Sequence, residues 1–180
     1  MAYQLKSISK AGIAEAIAKA ELYRYINEPE EAESICRDIL AIEPEQQLAR
    51  RMLGLAITDQ FIGAAADRYP EVLSIFQSLH DPYERLYYTG LLYERRAKAQ
   101  LLVGYAAHIL LPLIEEAMRC FAEAEKIRPA GNDDSILRWN RCVRLLESRP
   151  DFHFDRSPAS FDAEDSPPVS TPTRRLGGHH

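Results

Sequence analysis

The sequence lacks a long uninterrupted hydrophobic run, and this absence argues against a membrane span. Its longest apolar stretch, residues 101–114, is interrupted by His108 and Pro112 and is too short to cross a bilayer. The N-terminal residues also lack the continuous apolar segment of a secretory signal peptide. We therefore expect a soluble protein that is neither secreted nor inserted in a membrane.

Cysteine is scarce and shows no metal-binding pattern. The 180 residues include three cysteines, Cys36, Cys120 and Cys142, without the CxxC or Cys/His spacings of zinc sites. An odd number of thiols inside apolar segments indicates reduced core residues. The sequence therefore predicts a cytoplasmic protein without a metal site.

An excess of positive charge is also missing. The chain has 22 Lys and Arg against 27 Asp and Glu, which gives a net charge of −5 at pH 7. This balance argues against a general nucleic-acid binder, because phosphate binding requires cations that displace counterions. Two local strips, residues 94–100 and the series Arg138, Arg141 and Arg144, leave nucleic-acid binding as an alternative, although solvated helix faces explain them more simply.

Catalytic motifs are absent as well. The chain contains no GxxxxGK[ST], no GxGxxG after a strand, no HExxH and no GxSxG. The acidic pair Asp133 and Asp134 is explained by helix capping, in which Asn132 or Asp133 would satisfy free backbone N–H groups. We expect no enzymatic activity, no catalytic residues and no cofactor.

Apolar residues spaced three and four apart dominate the chain up to residue 148, and this spacing is typical of helices. Proline, glycine and asparagine divide the pattern into separate elements. The sequence predicts an all-α fold of seven helices at 11–26, 29–42, 45–62, 70–80, 82–103, 106–128 and 133–148. Residues 149–180 are rich in Pro, Ser and Asp without helical periodicity, which predicts a disordered tail.

Two segments, "EEAESICRDILAIEP" at 30–44 and "EEAMRCFAEAEKIRP" at 115–129, repeat one pattern. Each has a small residue, packing residues four and seven positions later, and a proline after twelve. The small residues, Ala32 and Ala117, would allow a neighbouring helix to approach closely. Glycine within a helix costs about 1 kcal/mol relative to alanine, so Gly54 and Gly90 predict two further close approaches.

This spacing resembles the tetratricopeptide repeat (TPR), a helix-turn-helix unit of about 34 residues. The resemblance covers residues 11–148, with units beginning at Ile13, Gln47 and Tyr83, and the third unit is longer than usual. It implies an α-α superhelix of three antiparallel helical hairpins and a C-terminal capping helix. The buried stripe of that last helix would consist of Ile136, Trp139, Val143 and Leu146.

The TPR resemblance also implies a protein-interaction module, because members of the family hold peptides or helices in a concave groove. The groove positions fall at Ala14, Ile17, Ala18, Glu21, Arg24, Tyr25, Leu48, Arg51, Met52, Leu55, Thr58, Asp59, Glu84, Tyr87, Tyr88, Leu91, Glu94 and Arg95. Ten of these are the candidate partner contacts: Arg24, Tyr25, Arg51, Leu55, Asp59, Tyr87, Tyr88, Leu91, Glu94 and Arg95. Tyr and Arg are enriched at binding hot spots, but tyrosines between long helices also serve to fill space. The partner expected from this resemblance is an unidentified protein or peptide.

The apolar segment 101–114 is unexpected at the tip of a hairpin. It either packs against the last helix or forms a contact between copies of the chain. Self-association as a homo-oligomer is therefore the alternative to partner binding in a groove.

Overall fold

Seven helices pack in chain order in the computed structural model, which describes residues 3–61 and 68–152. They are α1 (Ile13–Tyr25), α2 (Pro29–Ile42), α3 (Gln47–Asp59), α4 (Tyr69–Gln77), α5 (Pro82–Leu102), α6 (Ala107–Lys126) and α7 (Asp134–Glu147). No strand occurs in these residues. The predicted all-α fold of about seven helices is confirmed, and each helix end lies within three residues of its predicted position.

The helices form two layers. Each helix packs against its neighbours in the chain, and α1, α3, α5 and α7 also contact one another in series. The even-numbered helices α2, α4 and α6 form the second layer. This arrangement is typical of helical repeats, in which each hairpin buries its apolar face against the next one.

Both helical glycines lie at close approaches between helices, as predicted. A Cβ atom on Gly54 of α3 would lie within 3.0 Å of three ring carbons of Phe76 on α4. One on Gly90 of α5 would lie 2.8 Å from the Phe121 ring of α6. Both phenylalanine rings are fully buried, so the glycines make room for the largest side chains of the core.

The three cysteines belong to the core, as their sequence context predicts. Cys36, Cys120 and Cys142 are free thiols with at most 3% of their surface exposed. Burial raises the pKa of Cys36 and of Cys142 to about 12, because the thiolate is disfavoured away from water. These thiols are therefore packing residues and remain protonated at neutral pH.

The start of α7 is capped by Asn132, whose side-chain Oδ1 accepts a hydrogen bond from the Asp134 backbone N–H at 2.9 Å. The same oxygen accepts a hydrogen bond from the Tyr83 hydroxyl at 3.1 Å, which fixes this end of α7 to α5. The fully buried face of α7 is rotated from the predicted stripe. It consists of Ser135, Cys142 and Leu145, whereas Ile136, Trp139, Val143 and Leu146 are half-buried. Trp139 and Leu146 nevertheless pack against the core, so the predicted stripe is partly confirmed. The buried face is broader than predicted because α7 packs on both α6 and α5.

The packed part of the chain reaches beyond the predicted end of the repeat region. Pro150–Phe152 form a short 3-10 turn against α6, and the Phe152 side chain is 1% exposed. Residues 150–152, which the sequence assigns to the tail, therefore belong to the packed part of the chain. The remaining residues of the tail, 153–180, lie outside the described residues.

An ion-pair cluster centred on Glu33 connects α2 to the start of α4. Arg68 binds both oxygens of the Glu33 carboxylate, at 2.6 and 2.8 Å. Arg37 and Gln60 donate to the same carboxylate at 2.7 and 2.9 Å. The hydrogen bonds from Arg68, with smaller contributions from Arg37 and Gln60, lower the pKa of Glu33 to about 2 despite its partial burial.

Replacing Glu33 by glutamine is expected to lower the free energy of unfolding by about 1–2 kcal/mol at pH 7, because charged hydrogen bonds are lost from a partly exposed cluster. The folded pKa of about 2 lies below the ordinary value of 4.5, so this contribution is complete above pH 4.5 and is lost as the pH falls toward 2. Urea denaturation of both proteins across this range measures the difference. A difference that stays constant down to pH 2.5 would contradict the assignment.

Candidate partner-binding groove

A concave pocket of about 300 Å³ opens on the layer of odd-numbered helices, between α1, α3 and α5. Its lining residues are Ile17, Glu21, Arg24, Leu48, Arg51, Met52, Leu55 and Tyr88. All eight stand at groove positions obtained from the repeat register, and four belong to the ten candidate contacts: Arg24, Arg51, Leu55 and Tyr88. The pocket combines aliphatic and aromatic surface with charged groups at its edge.

Asp59 links three helices beside this pocket. Its carboxylate accepts a hydrogen bond from the Arg24 Nε of α1 at 2.9 Å and also pairs with the Arg95 guanidinium of α5. Arg95 donates a second bond to the Thr58 Oγ1 at 2.6 Å. All three ionic side chains are about one-quarter exposed. The two arginines are thus held in fixed orientations while part of each remains accessible to a partner.

A second pair orients Arg51 across the pocket. Its Nη1 donates to the Glu84 carboxylate at 2.6 Å, and its guanidinium lies 5.9 Å from the centre of the Tyr88 ring. Burial raises the pKa of Tyr88 to about 12, so its hydroxyl keeps its proton and can donate a hydrogen bond at neutral pH. Arg51 and Tyr88 together present an aromatic face beside a cation.

The Tyr87 side chain packs against other aromatic rings and does not line the pocket. Its ring stacks on Tyr83 at 5.8 Å, meets Tyr88 edge-on at 5.0 Å and contacts Phe121 at 6.0 Å between ring centres. This aromatic chain fills the space between α5 and α6. The space-filling interpretation of the tyrosines therefore applies to Tyr87, whereas Tyr88 also lines the pocket.

Three other candidate contacts do not line the pocket. Leu91 is 3% exposed and Glu94 is fully buried, so neither side chain is available to a partner in this arrangement. Tyr25 is 88% exposed at the end of α1 and lies outside the pocket lining. Helical periodicity predicts the side of its helix on which each residue lies, but it does not predict how much of the side chain a neighbouring helix buries.

The apolar segment 101–114 divides into a buried and an exposed part. Leu110 and Ile114 of α6 are core residues, at 2% and 0% exposure. The exposed tip consists of Leu102, Val103, Tyr105 and Ile109, each more than half exposed. Pro112 lies within α6 and does not end it. The buried part fits the packing alternative, whereas self-association through the exposed tip stays a prediction.

The basic strip at residues 94–100 does not form one continuous cationic surface. Arg95 faces α3, Arg96 lies 4.1 Å from the centre of the Tyr69 ring on α4, and Lys98 pairs with the buried carboxylate of its own helix. The three cations point to different neighbours. This dispersal weighs against the strip at residues 94–100 as a nucleic-acid surface, because such a surface needs aligned phosphate contacts.

No protein-family model matches this chain, and no significant match is found among curated proteins or solved structures. Within residues 3–61 and 68–152, no group of three or more His, Cys, Asp or Glu side chains is placed to hold a metal ion. No helix in the described part of the chain has both the length and the apolar character needed to cross a bilayer. Functional inference therefore depends on the chemistry of the groove itself.

Proposed function

We propose that this chain is a TPR-like, cytoplasmic, non-catalytic interaction module that binds a peptide or protein segment in the groove of α1, α3 and α5. The observation that carries the proposal is the pocket whose eight lining residues all stand at groove positions of the repeat register. A register chosen from spacing alone has no reason to coincide with a concavity unless the repeat geometry is present. This agreement supports both the family resemblance and the binding role.

The chemistry of the pocket suits an apolar side chain that is flanked by hydrogen-bond acceptors. Ile17, Met52 and Leu55 provide aliphatic surface, which favours burial of a partner's side chain. Arg24 and Arg51 each use only part of their five N–H donors in their ion pairs. The remaining donors can bind carbonyl or carboxylate oxygens of an extended peptide. Because the ion pairs hold both guanidinium groups in place, binding costs little side-chain entropy.

Leu48→Glu is expected to weaken binding of groove ligands by about tenfold or more, because it places a charge in the pocket where an apolar contact is needed. Leu48 is 44% exposed, so the substitution should leave the fold intact. Peptides selected on the wild-type protein from a random displayed library provide ligands, and their affinities for each variant can be measured by fluorescence anisotropy.

Ile127→Glu is the matched control, since Ile127 is 49% exposed and follows α6 outside the groove. Its affinity for the selected peptides should equal that of the wild type. Equal binding by the Leu48→Glu variant, with unchanged helicity, would contradict the groove proposal.

Self-association is a second candidate function, favoured by the exposed tip at the α5–α6 turn. Ile109 and Val103 are 59% and 62% exposed beside the buried Leu110. If the tip forms a contact between copies, the wild-type mass measured by light scattering exceeds that of a monomer and Ile109→Glu restores the monomer. A monomeric wild type at high concentration would remove this candidate.

A further inference from the structure

A second pocket, of about 290 Å³, lies between the C-terminal halves of α5 and α7. It is lined by Lys98, Leu101, Leu102, Arg141, Leu145 and Arg149. Three leucines form its surface and three cations surround them. Leu102 is 69% exposed, which is unusual for a leucine beside a concavity. We call this the α5–α7 pocket.

The α5–α7 pocket is positively charged on a chain whose net charge is −5. None of its six lining residues is acidic. The carboxylate that pairs with Lys98, Glu94, is fully buried beneath the surface. Asp151 pairs with Arg149 at 2.7 Å, and no carboxylate of the described residues pairs with Arg141. Arg141 is therefore the pocket cation that an occupant can pair with, and a matching occupant brings a bulky apolar side chain together with negative charge.

The chain itself contains such a segment, Phe-Asp-Ala-Glu-Asp at residues 161–165, with one aromatic ring and three acidic groups. The described structure ends at Phe152, three residues after Arg149 of the pocket. Eight residues lie between Phe152 and Phe161, and the nine Cα-to-Cα steps that join them reach up to about 30 Å. This reach exceeds the length of α7, which is about 21 Å for 14 residues. The segment is therefore long enough to return to the pocket.

We propose that residues 161–165 of this chain bind the α5–α7 pocket. The Phe161 ring packs on Leu101, Leu102 and Leu145, and the acidic side chains face Arg141, while Lys98 and Arg149 keep their carboxylate partners. A short tether gives an effective concentration on the order of millimolar, so contacts that would be weak between separate molecules suffice here. The segment covers the exposed Leu102, and any external acidic ligand of this pocket has to displace it.

Disulfide trapping in the full chain tests this proposal. Val103→Cys introduces a thiol beside the pocket at a position that is 62% exposed and not part of the lining, and Ala163→Cys introduces one within the acidic segment. The native cysteines are buried and do not compete. Under mild oxidation this pair should form an intramolecular disulfide about tenfold faster than the control pair Ile127→Cys and Ala163→Cys. Ile127 follows the C-terminal end of α6, whereas Val103 precedes its N-terminal end. Intact-mass spectrometry and peptide mapping measure both rates.

Two additional substitutions separate specific binding from chance encounter. Phe161→Ala and Arg141→Glu, each combined with the Val103/Ala163 cysteine pair, should reduce the trapping rate toward that of the control pair. Equal rates for the two pairs, or rates unaffected by Phe161→Ala and Arg141→Glu, would overturn the proposal. Predominant formation of dimers in which position 103 of one copy is linked to position 163 of another would overturn it in favour of a second copy as the occupant. Because Leu48 and the groove are untouched, this result is independent of the peptide-binding test.

Discussion

Replacing Phe76 by alanine is expected to lower the free energy of unfolding by about 3–5 kcal/mol, the range typical of a fully buried phenylalanine. The ring is completely inaccessible and lies between α3, where Gly54 makes room for it, and α5, where it meets the Tyr88 ring at 5.5 Å. Its removal leaves a cavity where three helices meet. Urea denaturation followed by circular dichroism measures the loss.

Gly54→Ala tests the same contact from the other side. The added methyl group would overlap the Phe76 ring, so we expect a loss of about 1–3 kcal/mol although alanine is the better helix former. In the double variant the cavity left by Phe76→Ala accommodates the methyl group. The combined loss should therefore be smaller than the sum of the two single losses. Strict additivity would mean that the two residues are not in contact.

Replacing Lys98 by methionine is also expected to have a large effect, a loss of about 3 kcal/mol in the free energy of unfolding. Glu94 is fully buried, and Lys98 is its hydrogen-bond partner within the described residues. Arg138 of α7 lies 3.7 Å from the other carboxylate oxygen, which accepts no hydrogen bond from the described residues. Without Lys98, the more distant Arg138 is the cation that remains beside this buried carboxylate in the described part of the chain. The partial exposure of Lys98 places the expected loss at the lower end of the range for broken buried pairs.

Neutralising the other member of the pair with Glu94→Gln should lower the free energy of unfolding by no more than about 1 kcal/mol. This substitution removes the buried charge and leaves two cations that can be hydrated. Lys126→Met is the matched control on an exposed pair, since Lys126 bonds to Glu123 with both side chains largely in solvent. Its effect should stay below about 1 kcal/mol. If Glu94→Gln costs as much as Lys98→Met, the charge of Glu94 is not what makes Lys98 necessary.

Lys98 and Glu94 also connect stability to binding. Lys98 lines the α5–α7 pocket, while its carboxylate partner joins α5 to Arg138 of α7. A ligand that draws Lys98 toward the pocket therefore competes with a buried ion pair. We infer that α5 carries structural and recognition roles on the same turns of helix.

Local sequence signals suffice to locate the helices and two of their close contacts. Pro29, Pro82 and Asn132 mark helix starts through their backbone chemistry, which acts locally and does not depend on the rest of the fold. Gly54 and Gly90 predict close packing between helices, because glycine destabilises a helix unless a neighbour needs the space that a side chain would fill. Repeat spacing also assigns all eight pocket residues to groove positions, because it predicts which side of each helix they occupy.

Tertiary packing is needed to tell which of these groove positions are accessible. Arg24 and Glu94 both occupy groove positions, yet Arg24 lines a pocket whereas Glu94 is fully buried in α5, on which α7 packs. Sequence analysis identified Lys98 and Arg141 as members of two basic strips, but it did not predict the α5–α7 pocket, which forms only when α7 folds back on α5. Periodicity reports the direction of a side chain from its own helix, whereas burial depends on the distance to a second helix.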